Sequence, residues 1–351
     1  MLNAFTDQSP HLPQETGWDE NLSFDYREVD ALWLARWTAE SGWEPGQLYE
    51  HQGASLALSP GANVFHYGQA VFEGLKARRT QGGKIVLFRP AGNARRLRGS
   101  AARLAMSAPS VDAFLESVQA VVQANRRWVP GYRKGSLYVR PVLIGSGPVL
   151  GVKPAQEYLF CVFGCPVGQY MGGDRVVVFS AAHRAAPHGT GAAKAAGNYA
   201  ACLHPHEMAR ELGYADALYL DAREDRYVEE LGSSNFFAIL HDGTLVTPEL
   251  GSILPGITRD SILTIAREVF GWIVAERRLS IDDVLENAVE TFYTGTAAVL
   301  SSVTVVNYQG VDHPIGDGKP GPRAQMLREA LEGIQLHEQL DLWGWVMEVP
   351  V

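Results

Sequence analysis

Hydrophobic and polar positions divide this chain into short strands and amphipathic helices. Alternating or continuous apolar patterns predict strands at 84–88, 136–144, 157–167, 175–180, 217–221, 236–240 and 244–246, and a strand-rich stretch at 290–306. Helical spacing predicts helices at 92–106, 111–128, 198–212, 258–270 and 322–336. Asp242-Gly243 indicates a hairpin turn, Ser280-Ile-Asp-Asp283 indicates a helix start, and Pro205 predicts a kink or an irregular start of its helix.

The order of these elements does not follow a strict strand–helix alternation. We therefore expect an α/β mixed (α+β) fold with mixed sheets rather than one doubly wound parallel sheet. A length of 351 residues suggests two domains, at roughly 150 residues each. We predict a loosely held N-terminal arm at 1–30 and a small α/β domain at 31–167. An interdomain loop at 168–176 then leads into a large domain at 177–351.

Composition excludes several classes of protein. The net charge is −9 and no lysine or arginine run is present, so we expect no nucleic-acid partner. The apolar runs are far shorter than the roughly 20 residues of a membrane helix, so we expect no membrane partner. Three cysteines form neither a disulfide framework nor a zinc motif, and the polar first 30 residues do not indicate a targeting peptide. These features predict a cytoplasmic protein without a metal.

One lysine stands in an unusual segment. Lys194 lies within Gly189-Thr-Gly-Ala-Ala-Lys-Ala-Ala-Gly-Asn-Tyr199, where small residues permit close approach of a flat ligand or of other backbone. A desolvated lysine has a lowered pKa and can attack an aldehyde. A lysine in a flexible surface loop is the alternative interpretation of this segment alone.

Three further segments favour chemistry on a phosphorylated aldehyde cofactor. Pyridoxal phosphate needs a carboxylate on its ring nitrogen, and Glu229-Glu230 precede a Gly/Ser turn. Leu254-Pro-Gly-Ile-Thr258 enters a helix whose free N–H groups suit a phosphate, and Thr294-Gly-Thr-Ala297 is a second small, hydroxyl-rich turn. Each segment alone is also explained by a solvated acid, a helix cap or an ordinary turn.

Together with further motifs, these segments resemble the branched-chain amino-acid aminotransferases, which are fold-type IV pyridoxal-phosphate enzymes of the class IV aminotransferase family. The resemblance covers about 300 residues, from Gly42 to the C-terminal helix. It implies largely antiparallel sheets, pyridoxal 5'-phosphate as cofactor, and a homodimer whose site lies between the two domains. The motifs that carry it are Phe65-His-Tyr-Gly-Gln-Ala-Val-Phe-Glu-Gly-Leu-Lys-Ala-Arg78, Leu87-Phe-Arg-Pro90, Ser136-Leu-Tyr-Val-Arg-Pro141, the Lys194 block, Glu230-Leu-Gly-Ser-Ser-Asn235, Leu254-Pro-Gly-Ile-Thr258 and Gly295-Thr-Ala297.

The resemblance also implies roles for individual residues. Lys194 matches the lysine that binds the cofactor covalently and moves the substrate proton, Tyr199 matches the partner of the phenolic oxygen, and Glu230 matches the acid on the ring nitrogen. Contacts to the phosphate or to the substrate side of the cofactor are implied for Arg96, the amides of Ile257 and Thr258, and Thr296.

A pocket for two kinds of substrate follows from the same resemblance. Thr296 and Ala297 match the turn that holds the α-carboxylate, and Arg140 matches the arginine that receives the distal carboxylate of glutamate. The loop Leu150-Gly-Val152 of a partner subunit should close the pocket. The aromatic walls are assigned to Tyr67, Phe72, Tyr138 and Tyr170, for which an ordinary core role is the alternative.

The expected reaction is transfer of the amino group of L-leucine, L-isoleucine or L-valine to 2-oxoglutarate. Some family features are absent: Ala195 and Ala196 replace glycines of some members, Ser233-Ser234 replaces Thr-Met, and neither the Cys-x-x-Cys thiol switch nor the Asp-His-Met segment occurs. Rival interpretations are a D-amino-acid transaminase or aminodeoxychorismate lyase of the same fold, a nicotinamide-dependent dehydrogenase using Gly145–Gly151, and a binding protein that has lost catalysis.

Overall fold

A computed structural model describes residues 3–4, 17–168 and 173–350. Its helices are α1 (Asn63–Tyr67), α2 (Pro90–Arg103), α3 (Val111–Ala124), α4 (Ala196–Glu211), α5 (Ile257–Glu268), α6 (Ile281–Asn287) and α7 (Pro322–Gln335). Its strands are β1 (Ala31–Thr38), β2 (Gly42–Trp43), β3 (Gln47–Glu50), β4 (Ala70–Phe72), β5 (Leu75–Arg79), β6 (Ile85–Phe88), β7 (Ser136–Gly145), β8 (Glu157–Val167), β9 (Arg175–Val177), β10 (Asp216–Leu220), β11 (Val228–Leu231), β12 (Asn235–Leu240), β13 (Leu245–Thr247), β14 (Val274–Glu276), β15 (Ala288–Gly295), β16 (Val299–Val303), β17 (Val305–Tyr308), β18 (Val311–Pro314) and β19 (Val346–Val349).

The described residues form two compact units. The first unit contains 3–4, 17–168, 193–196 and 334–350, and the second contains 173–192 and 197–333. The predicted boundaries placed all of 177–351 in one domain, whereas the chain returns to the first unit twice. It does so because β19 pairs with β6 and because Ala195 forms a β-bridge with Val71. Most of the predicted interdomain loop, residues 169–172, lies outside the described residues.

The first unit is an antiparallel sheet covered by two helices. The strand order is β19-β6-β5-β7-β8-β1-β2, with β3 beside β1 and β4 beside β7. Helices α2 and α3 insert apolar side chains such as Leu97, Phe114 and Val121 into a core with Leu87 and Leu137. Burial of these side chains stabilises the unit because it removes apolar area from water. The same packing fixes the strands, whose ends carry polar side chains.

The second unit is built on a mixed sheet. Its order is β14-β13-β12-β11-β10-β9-β17-β18, and β15 pairs with both β12 and β16. Strand β9 is parallel to β10 and β17, and β13 is parallel to β14; the other pairs are antiparallel. The mixed, largely antiparallel α+β architecture expected from the sequence is therefore confirmed.

Local signals in the sequence explain several element ends. Gly243, at φ +84°, completes the turn between β12 and β13, and the Ser280 hydroxyl accepts the Asp283 N–H at the start of α6. Helix α4 continues through Pro205, where the sequence predicted a kink or an irregular start. Among the described residues, no helix is long and apolar enough to cross a membrane.

Candidate active site

Lys194 is anchored to the first unit by its backbone. Its N–H donates to the Ser100 hydroxyl at 2.8 Å, and its carbonyl accepts the Phe72 N–H at 3.1 Å. Ala193 and Ala195 are buried on either side of it, where larger side chains would not fit a close-packed core. The Lys194 ammonium lies 4.7 Å from the centre of the Phe72 ring. The small-residue segment thus positions a half-buried lysine against an aromatic face.

Arg140 lies over two of the aromatic residues that the sequence singled out. Its guanidinium carbon is 4.9 Å from the Phe72 ring centre and 5.2 Å from the Tyr138 ring centre. Tyr138 and Arg140 project from the same face of β7 because side chains alternate along a strand. Gly74 leaves room for this arrangement, since a Cβ there would be 2.0 Å from the Tyr138 hydroxyl. Within the described part of the chain, Arg140 Nε is buried and has no hydrogen-bond partner.

Arg96 is held by a carboxylate that sequence reasoning missed. Glu73 is fully buried, and its two oxygens accept from Arg96 Nε at 2.8 Å and from Arg96 Nη2 at 2.7 Å. Asn93 donates to the same carboxylate at 2.8 Å. This bidentate pair fixes the plane of the guanidinium. The available signal was an acidic residue between two short apolar strand segments, within Phe72-Glu-Gly74.

The remaining predicted pocket residues of the first unit lie at its surface. The Tyr67 hydroxyl donates to the Leu150 carbonyl, and Leu150 and Val152 are 94% and 90% exposed. Tyr170 lies outside the described residues.

In the second unit, sheet register brings the predicted acid and a predicted turn close together. Glu230 on β11 pairs with Asn235 on β12, which in turn pairs with Thr294 on β15. Glu230 is 1% exposed, and its carboxylate accepts from Asn235 Nδ2 at 3.1 Å and from the Leu254 N–H at 3.0 Å. Gly295, Thr296 and Ala297 follow directly in the turn between β15 and β16.

Arg184 is a second residue of this cluster that sequence reasoning missed. Its Nη1 lies 2.5 Å from Glu230 Oε1, and its Nε donates to the Gly232 carbonyl at 3.2 Å. Its guanidinium carbon is 5.7 Å from the Tyr199 ring centre. Burial is the largest single effect and lowers the pKa of Arg184, but the Glu230 carboxylate together with Tyr199, Cys202 and Tyr219 raises it by more, so the pKa is raised. In the sequence, the only signal for Arg184 is that an isolated arginine stands 10 positions before Lys194.

The N-terminus of α5 meets the same cluster. Gly256 is the N-cap and supplies no side-chain cap, and Ile257 and Thr258 are the first two residues of the helix. A Cβ on Gly256 would be 2.0 Å from Asn235 Oδ1, so glycine is required for this approach. Thr294 Oγ1 is buried and has no hydrogen-bond partner among the described residues. The N-terminus of α5, where the helix dipole favours an anion, therefore lies beside a buried carboxylate.

The dinucleotide site that the dehydrogenase alternative requires is not formed. After Gly151 the chain continues through a loop into β8, so the Gly145–Gly151 segment has no helix N-terminus for a pyrophosphate. The described ranges contain no group of three or more His, Cys, Asp or Glu residues arranged to hold a metal ion. The structure thus gives the dehydrogenase alternative no support.

Comparison with known families agrees with the geometry. Residues 70–306 match the family model described as amino-transferase class IV. The chain belongs to the class IV aminotransferase family. This family span includes every cofactor residue predicted from the sequence, from Arg96 to Thr296.

Curated relatives and solved structures extend this result. The chain is 43% identical to branched-chain amino acid aminotransferase 2, chloroplastic, of Humulus lupulus, over 95% of this chain and 81% of that protein. It is 43% identical to the branched-chain-amino-acid aminotransferase of Helicobacter pylori strain J99, over 94% of this chain and 97% of that protein. The Escherichia coli branched-chain amino acid aminotransferase matches with a TM-score of 0.78 at 30% identity, over 92% and 100% of the two chains. The T.th. branched-chain amino acid aminotransferase complexed with N-(5'-phosphopyridoxyl)-L-glutamate matches with a TM-score of 0.75 at 29% identity, over 92% and 99%. The predicted resemblance to branched-chain aminotransferases is confirmed.

Proposed function

We propose that the protein is a branched-chain amino-acid aminotransferase that exchanges the amino group between L-leucine, L-isoleucine or L-valine and 2-oxoglutarate, with pyridoxal 5'-phosphate as cofactor. The observation that carries this proposal is the buried Glu230 carboxylate, fixed by Arg184, Asn235 and the Leu254 amide beside the glycine-capped start of α5. A buried acid and an anion-binding helix end are the two features that a phosphorylated pyridine requires.

The residues present fit this cofactor. Glu230 would hold the ring nitrogen, Tyr199 the phenolic oxygen and Lys194 the aldehyde carbon. The phosphate would be held by Arg96, Thr296 and the amides of Ile257 and Thr258. When bound, the cofactor accepts the amino group and delocalises the electrons of the broken Cα–H bond. Support comes from the buried Thr294 hydroxyl, which has no hydrogen-bond partner among the described residues and is available to a ligand.

Lys194 is the group that moves the proton. Its side chain carries a basic nitrogen, and the Phe72 ring at 4.7 Å restricts where that nitrogen can lie. Backbone bonds to Ser100 and Phe72 keep the lysine backbone in place during the reaction. In this proposal Lys194 takes a proton from the substrate α-carbon and returns it on the cofactor side.

Arg140 and the two rings beside it would allow one pocket to accept both an aliphatic and an acidic side chain. The Phe72 and Tyr138 rings provide apolar surface for leucine, isoleucine or valine. The buried, unpartnered Nε of Arg140 provides a donor for the distal carboxylate of glutamate. Thr296 and Ala297 would hold the α-carboxylate of either substrate. The T.th. enzyme complexed with a phosphopyridoxyl-glutamate gives this assignment support from a relative.

The deciding experiment separates this function from the rival activities of the fold. Purified protein with pyridoxal 5'-phosphate should transfer the amino group of L-leucine to 2-oxoglutarate, and should show no comparable rate with D-alanine. Lys194→Ala should remove turnover and change the absorbance of the bound cofactor. Preferential activity on D-alanine, or turnover retained by Lys194→Ala, would contradict the proposal.

A second experiment tests the role of Arg140. Arg140→Met should reduce kcat/KM for glutamate by about 100-fold, because it removes a charge-assisted pair, while leaving leucine within about tenfold. Equal losses for both substrates would argue against a dual-specificity arginine.

We also propose a homodimer that acts in the cytosol. Leu150 and Val152 are apolar yet almost fully exposed on this chain, which is unfavourable unless another surface covers them. Val152→Asp should shift the protein towards monomer in sedimentation velocity and lower its activity. A Val152→Asp protein with the sedimentation coefficient of the native protein would contradict a role of this loop in assembly.

A further inference from the structure

A cavity lies within the second unit, and none of the residues assigned above to the cofactor or the substrate lines it. Its volume is ≈ 350 Å³, which is within the range of small-ligand sites. Its apolar lining includes Pro187, Pro248 and Leu250, and its charged lining includes Arg223 and Glu229. Such a mixture of apolar and oppositely charged groups is typical of sites that bind small polar metabolites.

Glu229 supplies a buried negative group on this lining. It is adjacent to Glu230 on β11, so the two side chains project from opposite faces of the strand. Glu229 is 7% exposed; its Oε1 accepts the Ser252 hydroxyl, and its buried Oε2 has no hydrogen-bond partner in the described part of the chain. Burial raises the pKa of Glu229. A cationic group at Oε2 would stabilise the charged carboxylate.

Arg223 supplies the positive group. Its backbone is fixed because its N–H donates to the Asp221 carboxylate at 3.2 Å, but its guanidinium has no ion pair with the described residues. The other arginine of the cavity is already engaged, since Arg278 pairs with Glu224 at 2.5 Å and stacks on the Tyr227 ring at 3.5 Å. Among the described residues, Arg223 has no ion pair and therefore lines the cavity as an available cation, beside the carboxylates of Glu229 and the exposed Glu249.

We propose that this cavity binds a free α-amino acid. The ammonium group would meet Glu229, the carboxylate would meet Arg223, and an aliphatic side chain would lie on Pro187, Pro248 and Leu250. A zwitterion satisfies both charged groups at once, whereas an amine or a carboxylic acid satisfies only one. The proposal rests on the charges of this cavity and does not depend on the reaction proposed above.

Occupancy of this cavity would act next to the cofactor acid. Ser252 donates to Glu229, and two residues later the Leu254 N–H donates to Glu230. Residues 252–254 therefore donate one hydrogen bond to each of the two adjacent glutamates of β11. An amino acid bound at Glu229 would contact the strand that positions Glu230.

The test uses the full-length protein loaded with pyridoxamine 5'-phosphate, which has no aldehyde to react with an amino acid. Equilibrium dialysis with radiolabelled L-leucine should show saturable binding. Arg223→Met should weaken this binding by about tenfold or more, and Glu229→Gln should do the same. Glu211→Gln, on the exposed end of α4, is the matched control and should bind as the native protein does.

Three results would overturn the proposal. The first is unchanged L-leucine binding in Arg223→Met; because Arg223 is exposed, a loss of binding in this variant would not be explained by misfolding. The second is loss of binding in Tyr138→Ala but not in Arg223→Met, which would assign the leucine to the substrate pocket. The third is equally tight competition by 1,4-diaminobutane or 4-methylvalerate, which would show that a zwitterion is not required. Failure of transaminase activity would leave all three readouts unaffected.

Discussion

The guanidinium of Arg184 lies 2.5 Å from the carboxylate of Glu230, and both side chains are at least 98% buried. The same guanidinium faces the ring of Tyr199 at 5.7 Å. One buried cation therefore positions two of the residues assigned to the cofactor. Because a buried charge is unfavourable without a partner, loss of either member should affect folding as well as the site.

Removing Arg184 should destabilise the protein strongly. Arg184→Met leaves the Glu230 charge buried without its cation, and the expected loss in unfolding free energy is about 3–5 kcal/mol. Urea denaturation of the apoprotein measures it. Arg210→Met, an exposed arginine of α4, is the control and should change stability by less than about 1 kcal/mol. The double variant Arg184→Met/Glu230→Gln should recover part of the loss; an additive loss would show that the two residues are not coupled.

Glu73 should control the affinity for pyridoxal 5'-phosphate through Arg96. Glu73→Gln removes one charge from the bidentate pair and frees the guanidinium to rotate, so cofactor binding should weaken by about tenfold. Fluorescence titration of the apoprotein gives the Kd. Glu348→Gln removes the exposed partner of Lys84 and should leave the Kd unchanged. Native affinity in Glu73→Gln would exclude this positioning role.

Gly256 should tolerate no side chain. The Cβ of Gly256→Ala would be 2.0 Å from Asn235 Oδ1, and Asn235 is itself bonded to Glu230 and to the Leu254 carbonyl. The variant should lose about 1–3 kcal/mol in unfolding free energy and bind cofactor less tightly. Gly251→Ala is the control because a Cβ there meets nothing within 4 Å. Equal stability of the two variants would contradict the steric argument.

One histidine should give stability a dependence on pH. Hydrogen bonding to Asp216, 3.1 Å away, raises the pKa of His206. Its contribution is therefore fully present below the unfolded pKa of about 6.5 and is lost as the pH rises through the folded value. His206→Gln should destabilise the protein at pH 5.5 by up to about 1 kcal/mol, and by less at pH 8. Denaturation at both pH values checks this against His204→Gln, whose side chain is exposed on the same helix. If the loss of stability caused by His206→Gln grew as the pH rose, the predicted direction of the pH dependence would be wrong.

The cysteines should be inert in the folded protein. Burial raises the pKa of the Cys161 thiol to about 12, and it also raises those of Cys165 and Cys202. At pH 8 the thiolate fraction of Cys161 is then minute, so iodoacetamide should modify it only after unfolding. Mass spectrometry before and after addition of urea measures the labelling. Rapid native alkylation of Cys161 would contradict its burial.

Periodicity predicted elements whose patterns are complete within one segment. Glu157–Val167 is a strand with the predicted bounds, and the helix predicted at 258–270 is α5, shifted by one residue at its start. The motif segments around Lys194, Glu230 and Leu254 were also recognisable, because each is a short run of unusual composition. Residues 334–350 were assigned to the wrong unit, since no local pattern reveals that Val346 pairs with Phe88.

The sequence by itself determined the secondary structure, the family and the residue types that the chemistry needs, because these depend on neighbours along the chain. Only the tertiary structure decided which charges are paired. Glu229 and Glu230 are adjacent acids, yet one lines a separate cavity and the other is held by Arg184. Glu73 could be connected with Arg96 only through the packing of α2 on the strands. These pairings depend on strand register and burial, which join residues that are distant in sequence.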